Sequence, residues 1–335
     1  MRLVLGGYGP AIGVVDLHEL DGSRFGEPRS AAEAASPSWV LPSADGRFVY
    51  AALESAEGRV GAWAVTAELP WRPLGTRSTG GADPCHLALS PDGGWLLAAN
   101  YSSGSVSVHP VREDGSLGER VELVAPEGET GPVADRQDRP HAHQAVFAPD
   151  GTVLVCDLGL DVVHAYALDP VSGRLTEIAR SPFPPGTGPR HLVLTRDGRT
   201  AYVVGELSST LSVCRVTGPR LEVLQTVSAR AADADTENTA AEVALADDER
   251  TVLVSQRGDD TVATLSVDAR TARLVSVDPC GGSWPRWAGL VGGSAIVADE
   301  RSDAVVVLRR QGYGWAVEAT TTWTRPTCVA PLPTQ

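Results

Sequence analysis

Apolar residues in this chain fall in short runs separated by turn residues, and the spacing of the runs repeats. The recurring unit is Pro-x-His-Leu-x-Leu-x-x-Asp-Gly, then an apolar run, a polar pair and Ser-x-x-Val-x-Val. Its clearest copy is Pro84-Cys85-His86-Leu87-Ala88-Leu89-Ser90-Pro91-Asp92-Gly93, followed by Trp95 to Tyr101 and by Val106 and Val108. A second copy runs from Pro189-Arg190-His191-Leu192 through Asp197-Gly198 to Val213, and a third from His143 through Asp150-Gly151 to Tyr166. Weaker copies begin at Ser38, Ala241 and Arg286. The turn aspartates Asp45, Asp92, Asp150, Asp197 and Asp248 set a period of about fifty residues. These are six copies; a seventh can be assembled from Pro326-Thr327-Cys328-Val329 and the strands at Leu3–Gly6 and Ile12–Val15.

Each unit reads as four short strands, because β-branched alternation between Asp-Gly turns is a hairpin signal. No long stretch shows helical periodicity. Four-stranded units at this period predict an all-β, seven-bladed β-propeller, a single domain over residues 1–335. Residues 2–17 should pair with the strand around Cys328, closing the ring and removing an open edge. A large β-sandwich does not explain the repeat.

Composition narrows the function. Of 335 residues, 42% are hydrophobic and 21% charged, which is globular and not disordered. No apolar run approaches the ~18 residues of a membrane helix, and the N-terminus is broken too early by glycine to read as a signal peptide. A net charge of -14 argues against nucleic acid and anionic membranes as partners. All 28 basic residues are arginine, so Schiff-base chemistry and a phosphate-loop lysine are excluded. Five scattered cysteines without metal-ligand spacing are expected to be reduced thiols in a cytoplasmic protein. Oligomeric state is left open.

The repeat also locates a site. In each blade the Asp-Gly turn lies at one face, so the start of the first strand and the end of the second meet at the other. Aligning the copies gathers Ser38, Trp39 and Glu54; Cys85, His86, Asn100 and Tyr101; His143, Gln144 and Asp157; Arg190, His191 and Glu206; Glu242 and Arg257; and Arg286, Trp287 and Glu300 at that face. The long connections at residues 126–140 and 228–239 reach it too, where binding functions usually sit. Several members have structural readings: Cys85 and Cys328 as buried fillers, the two tryptophans as packing, His86 and His191 as strand-to-strand hydrogen bonds. His143, Arg190, Glu206 and Arg257 together are costly to desolvate without a purpose. His141-Ala142-His143 raises a metal site, since i and i+2 share a strand face, but no further ligand set accompanies it, and no metal or cofactor is expected.

Asp138-Arg139-Pro140-His141-Ala142-His143, Gly188-Pro189-Arg190-His191, Gly205-Glu206-Leu207, Glu237-Asn238-Thr239-Ala240-Ala241-Glu242 and Trp284-Pro285-Arg286 resemble motifs of the seven-bladed propeller lactonases. That family includes propeller-type 6-phosphogluconolactonases and is related to carboxymuconate-lactonising cyclases. The resemblance implies a catalytic set of His143, Arg190, Glu206 and Arg257, with His141 and Arg286 next in line; these two and His191, Asn238, Glu242 and Trp287 are the candidate substrate contacts. Trp287 stands where the family commonly has histidine.

Hydrolysis of a small anionic sugar-acid lactone is the function this implies. Glu206 or His143 would take a proton from water. Arg190 or Arg257 would stabilise the oxyanion, and the remaining arginines would hold a phosphate or carboxylate. The alternatives are a muconate-type cycloisomerase and a non-catalytic propeller that binds a small anion or a protein.

Overall fold

The computed structural model describes residues 1–18 and 22–334. Seven antiparallel sheets form a β-propeller. Six of them take their strands in chain order from the channel outwards. Their innermost strands are Pro37–Pro42, Pro84–Leu89, Ala142–Phe147, Pro189–Leu194, Ala240–Leu245 and Pro285–Val291. The seventh sheet is shared between the chain ends. Its innermost strand is Pro326–Pro331, beside Arg2–Gly7 and then Ala11–His18. The seam pairs Val4 with Ala330, Leu5 with Val329 and Gly6 with Cys328, as the repeat predicted. The described residues contain one short 3-10 turn, Glu300–Ser302, and no α-helix.

Sheets stacked face to face bury both sides of their middle strands. Trp95–Asn100, Thr200–Gly205 and Thr251–Gln256 are buried at every position. This is why their hydrophobic runs lose strict alternation. The core consists of apolar layers between blades. Tyr202, Val204, Leu211 and Val213 of one blade pack on Val252, Val254, Ala263 and Leu265 of the next. At the far face the turn aspartates accept N–H groups two residues on, as Asp92 does from Gly94 and Asp197 from Arg199. Those bonds explain the recurrence of Asp there.

Candidate active site

The site rests on a backbone irregularity that every blade repeats. Each innermost strand pairs regularly with its neighbour until one or two residues from the mouth are skipped. The skipped positions are Ser38, Cys85, His143, Arg190, Ala241 with Glu242, Arg286 and Thr327. A bulge re-aims a side chain and bends its strand. Seven bulges therefore deliver a ring of side chains to one end of the channel.

The bulges are fixed from neighbouring blades. Thr327 donates to Ser38 O at 2.7 Å, Cys85 to His143 O at 3.3 Å, and Arg190 Nη1 to Ala241 O at 2.7 Å. A second device holds the loops that lead into them. Asp161, Asp260 and Asp303 each sit in left-handed backbone just before a third strand. Their carboxylates accept the N–H groups of Gly188, Trp284 and Arg325, immediately ahead of the strands that carry Arg190, Arg286 and Thr327. Aspartate tolerates that conformation better than most residues.

Glu206, 1% exposed, is the centre of one side of the ring. Its Oε2 lies 3.0 Å from Arg190 Nε and 2.9 Å from Arg257 Nη2, and its Oε1 accepts from Arg136 Nη2. The Arg190 contact is a charge contact, because the N–H is not aimed along it. Burial alone would push the Glu206 carboxyl up. The guanidiniums of Arg257, Arg190 and Arg136 outweigh it and hold the group at about 2. Arg136, a third exposed by its side chain, also donates to the Tyr101 hydroxyl at 3.2 Å.

The opposite side is built from the seam. The Tyr8 hydroxyl donates to Glu54 Oε1 at 2.9 Å, and its ring lies beneath Arg286 and Arg325, 5.4 and 4.7 Å from the centroid. Arg325 donates to Glu300 at 2.6 Å. Arg286 makes no hydrogen bond to any described residue, which leaves its donor fork unspent. Burial works against its charge, but Tyr8, Glu54 and Glu300 hold it firmly cationic.

Between the two sides lie the imidazoles. The ring centroids of His143 and His191 are 5.1 Å apart, and those of His86 and His191 are 5.3 Å apart. Burial, then Arg190, push His143 and His191 well below the ordinary histidine range, so both are neutral at working pH. His191 Nδ1 is 2.8 Å from Glu242 Oε1. Burial lifts the Glu242 carboxyl to about 8 against the pull of Arg190.

The ring thus brings together His143, Arg190, His191, Glu206, Glu242, Arg257 and Arg286. His141 stands at its rim, stacked on Tyr101 at 4.5 Å, with its ring nitrogens on Asp138 and Tyr101 O. Both nitrogens are spent, and the bulge at His143 breaks the shared face with His141 that a metal pair needs. Asn238 lies apart from the ring. Its amide bonds Ser209 and Gln256, and its oxygen accepts from Gly258 and Asp259. Trp287 packs in the apolar layers flanking the seam, beside Trp39 in one of them. Tyr8 and Arg136 are the members that the sequence did not single out. Arg136 lies in the 126–140 loop that was expected to reach this face; nothing in the repeat marks Tyr8.

A propeller whose channel mouth is lined by paired guanidiniums, neutral imidazoles and buried carboxyls belongs to the class that binds and transforms small polar molecules. Residues 2–331 match the family described as lactonase, 7-bladed beta-propeller, and the chain belongs to that family. It is 34% identical over 280 residues to the 6-phosphogluconolactonase of Bacillus subtilis, covering 80% of this chain and 78% of that one. It is 25% identical over 312 residues to the 6-phosphogluconolactonase of Formosa agariphila, covering 88% of both. The solved periplasmic gluconolactonase of Pseudomonas aeruginosa superimposes with a TM-score of 0.90 at 30% identity over 99% of each chain.

Proposed function

We propose that this protein hydrolyses the lactone of an acidic sugar derivative, in the manner of a 6-phosphogluconolactonase. The observation that carries the reading is the division of labour among the arginines. Arg190 and Arg257 are fixed on Glu206 and on backbone carbonyls, whereas Arg286 has its donors unspent. Fixed, partly dry donors suit a developing oxyanion, because they need no rearrangement as charge appears. A free guanidinium fork suits a phosphate or carboxylate on the substrate. Arg136, partly exposed, can share that anion. The named relatives favour lactone opening over the cyclase reading.

Proton transfer falls to an imidazole. A carboxylate held at about 2 is a very weak base, and Glu206 is sealed behind its guanidiniums. His143 is neutral and presented at the mouth by its bulge, so it can hydrogen-bond the substrate oxygens. A cytoplasmic location is part of the proposal and rests on five buried, unpaired cysteines. The Pseudomonas relative is periplasmic by name, so the fold serves another compartment too. No helix among the described residues is long and apolar enough to cross a membrane.

The test is acid release, followed with a pH indicator, from matched phosphorylated and neutral aldonolactones. The phosphorylated lactone should be the better substrate. Loss of a muconate's ultraviolet band without acid release would favour the cyclase, and silence toward both substrate types would leave a binding role. Arg286→Ala should raise KM for the phosphorylated lactone about ten- to a hundred-fold, the value of a charge-assisted hydrogen bond. It should leave the neutral lactone nearly untouched. Equal losses for the two would assign Arg286 to structure.

A further inference from the structure

Among the side chains of the ring the channel holds a small cavity with about 10 Å³ of room for the centre of a bound molecule. That is the space of about one water, and far too little for a phosphate. Its walls include Ser38, Trp39, Glu54, Arg190, His191 and Arg286. Besides Arg190 Nε, which lies against Glu206, four of these residues have a buried polar atom with no protein partner: Ser38 Oγ, Trp39 Nε1, Glu54 Oε2 and His191 Nε2. Ser38 and His191 are only 3% and 1% exposed. Folded proteins rarely leave such atoms unsatisfied, and four around one small space mark a site built for a ligand. The indole donates, the carboxylate accepts, and the hydroxyl can do either. That mixed set fits water, and the Glu54 carboxylate disfavours a small anion.

His191 is set apart from His86 and His143 by its carboxyl partner. Glu242 Oε1 receives the Val243 N–H at 3.1 Å and faces His191 Nδ1 at 2.8 Å. An oxygen already accepting one bond from the backbone favours Nδ1 as the proton-bearing nitrogen. Nε2 is then left as a lone pair on the wall of the cavity.

We propose that this cavity holds the water that attacks the lactone, and that His191, oriented by Glu242, accepts its proton. The assignment rests on the lactonase reading above. As the water oxygen bonds to the carbonyl carbon, its proton passes to Nε2 and the carbonyl π pair moves onto oxygen. When the intermediate collapses, the ring C–O bond breaks and the proton on Nε2 goes to the ring oxygen, giving the hydroxy acid. The carboxyl behind the imidazole fixes its tautomer and steadies the imidazolium, the role a carboxylate plays behind histidine in a catalytic triad.

The charges facing the pair set its titration. Arg190, Arg286 and Arg257 oppose protonation of His191, Glu206 favours it, and the rings of His86 and His143 pack beside it. Arg190 alone among the guanidiniums acts strongly on Glu242, and the Cys328 thiol lies near it. Below about 8 the Glu242 carboxyl is neutral; above it the carboxylate makes His191 a stronger base. Wild-type kcat should therefore step upward through that pH.

The experiment uses the full chain and a lactone that the wild type turns over, corrected for spontaneous hydrolysis. His191→Gln should lower kcat by ~10²–10⁴, the usual value of a positioned base, with KM little changed. Glu242→Gln should lower kcat and lose the step near 8; a merely structural Glu242 would leave the step in place. A high-resolution crystal structure should show a water within hydrogen-bonding distance of His191 Nε2. Normal turnover in His191→Gln, or a step that survives Glu242→Gln, overturns the assignment and leaves the lactonase reading standing. If His191→Gln does not fold, the Glu242→Gln profile decides. Absence of turnover in the wild type overturns the function and this assignment together.

Discussion

Glu206→Gln is expected to lower folding stability by about 3–5 kcal/mol, the cost of leaving buried charges without their partner. At the unfolding entropy typical per residue, that is a fall in Tm of about 4–7 °C. The substitution is nearly isosteric, so packing does not change. What changes is that Arg190 and Arg257, 3% and 7% exposed by their side chains, lose the anion that offsets their desolvation. Arg136 loses its partner as well. The loosened guanidiniums should also bind substrate less well, so KM rises along with the loss of kcat. A catalytic base at this position predicts a different result: turnover falls, while stability and substrate binding survive. Thermal unfolding and kinetics on one preparation separate the two. The pH dependence gives a second check. Glu206 is held at about 2 against an ordinary 4.5, so its contribution to stability is fully present above 4.5. It is lost as pH falls from 4.5 towards 2. The wild type should lose more Tm than Glu206→Gln across that window, and parallel curves would remove Glu206 from the anchoring role.

The blades, their number and the seam were legible in the sequence because a propeller repeats one local solution. Each Asp-Gly turn, such as Asp92-Gly93, marks the same corner, so the alignment places His143, Arg190, Glu206, Arg257 and Arg286 at one mouth without coordinates. What each side chain does there depends on contacts between blades, which a repeat aligned copy by copy does not contain. Arg190 and Arg286 occupy the same slot, yet one is spent on Glu206 and Ala241 O and the other is free. Glu206 and Glu242 are both buried carboxyls; three guanidiniums hold the first at about 2, and the second rises to about 8 beside an imidazole. Arg136 comes from the 126–140 loop, outside the repeated strands, and Tyr8 from the seam between chain ends. Asn238, drawn to the site by its motif, is consumed in holding residues 256–259 against its own loop.

Arg257→Ala should lower kcat by ~10²–10³ on phosphorylated and neutral lactones alike, the usual loss for one oxyanion donor. Arg257 Nη2 is divided between Glu206 Oε2 at 2.9 Å and Ala240 O at 3.0 Å. Those bonds fix the plane of the guanidinium, and no hydrogen bond to a described residue uses its Nη1. A donor held in this way costs little reorganisation when a carbonyl oxygen becomes an anion beside it. The oxyanion forms on every lactone whatever its substituents, so the loss should not depend on substrate charge. This contrasts with Arg286→Ala, whose effect should follow the phosphate. A lysine at position 257 should recover little, because one ammonium cannot reproduce a planar fork that spans Glu206, a backbone carbonyl and the substrate. Stability should fall less than in Glu206→Gln, since Glu206 keeps Arg136 and Arg190. If the loss in Arg257→Ala appears in KM and only for the phosphorylated lactone, Arg257 holds the substrate's anion, and the oxyanion is left to Arg190.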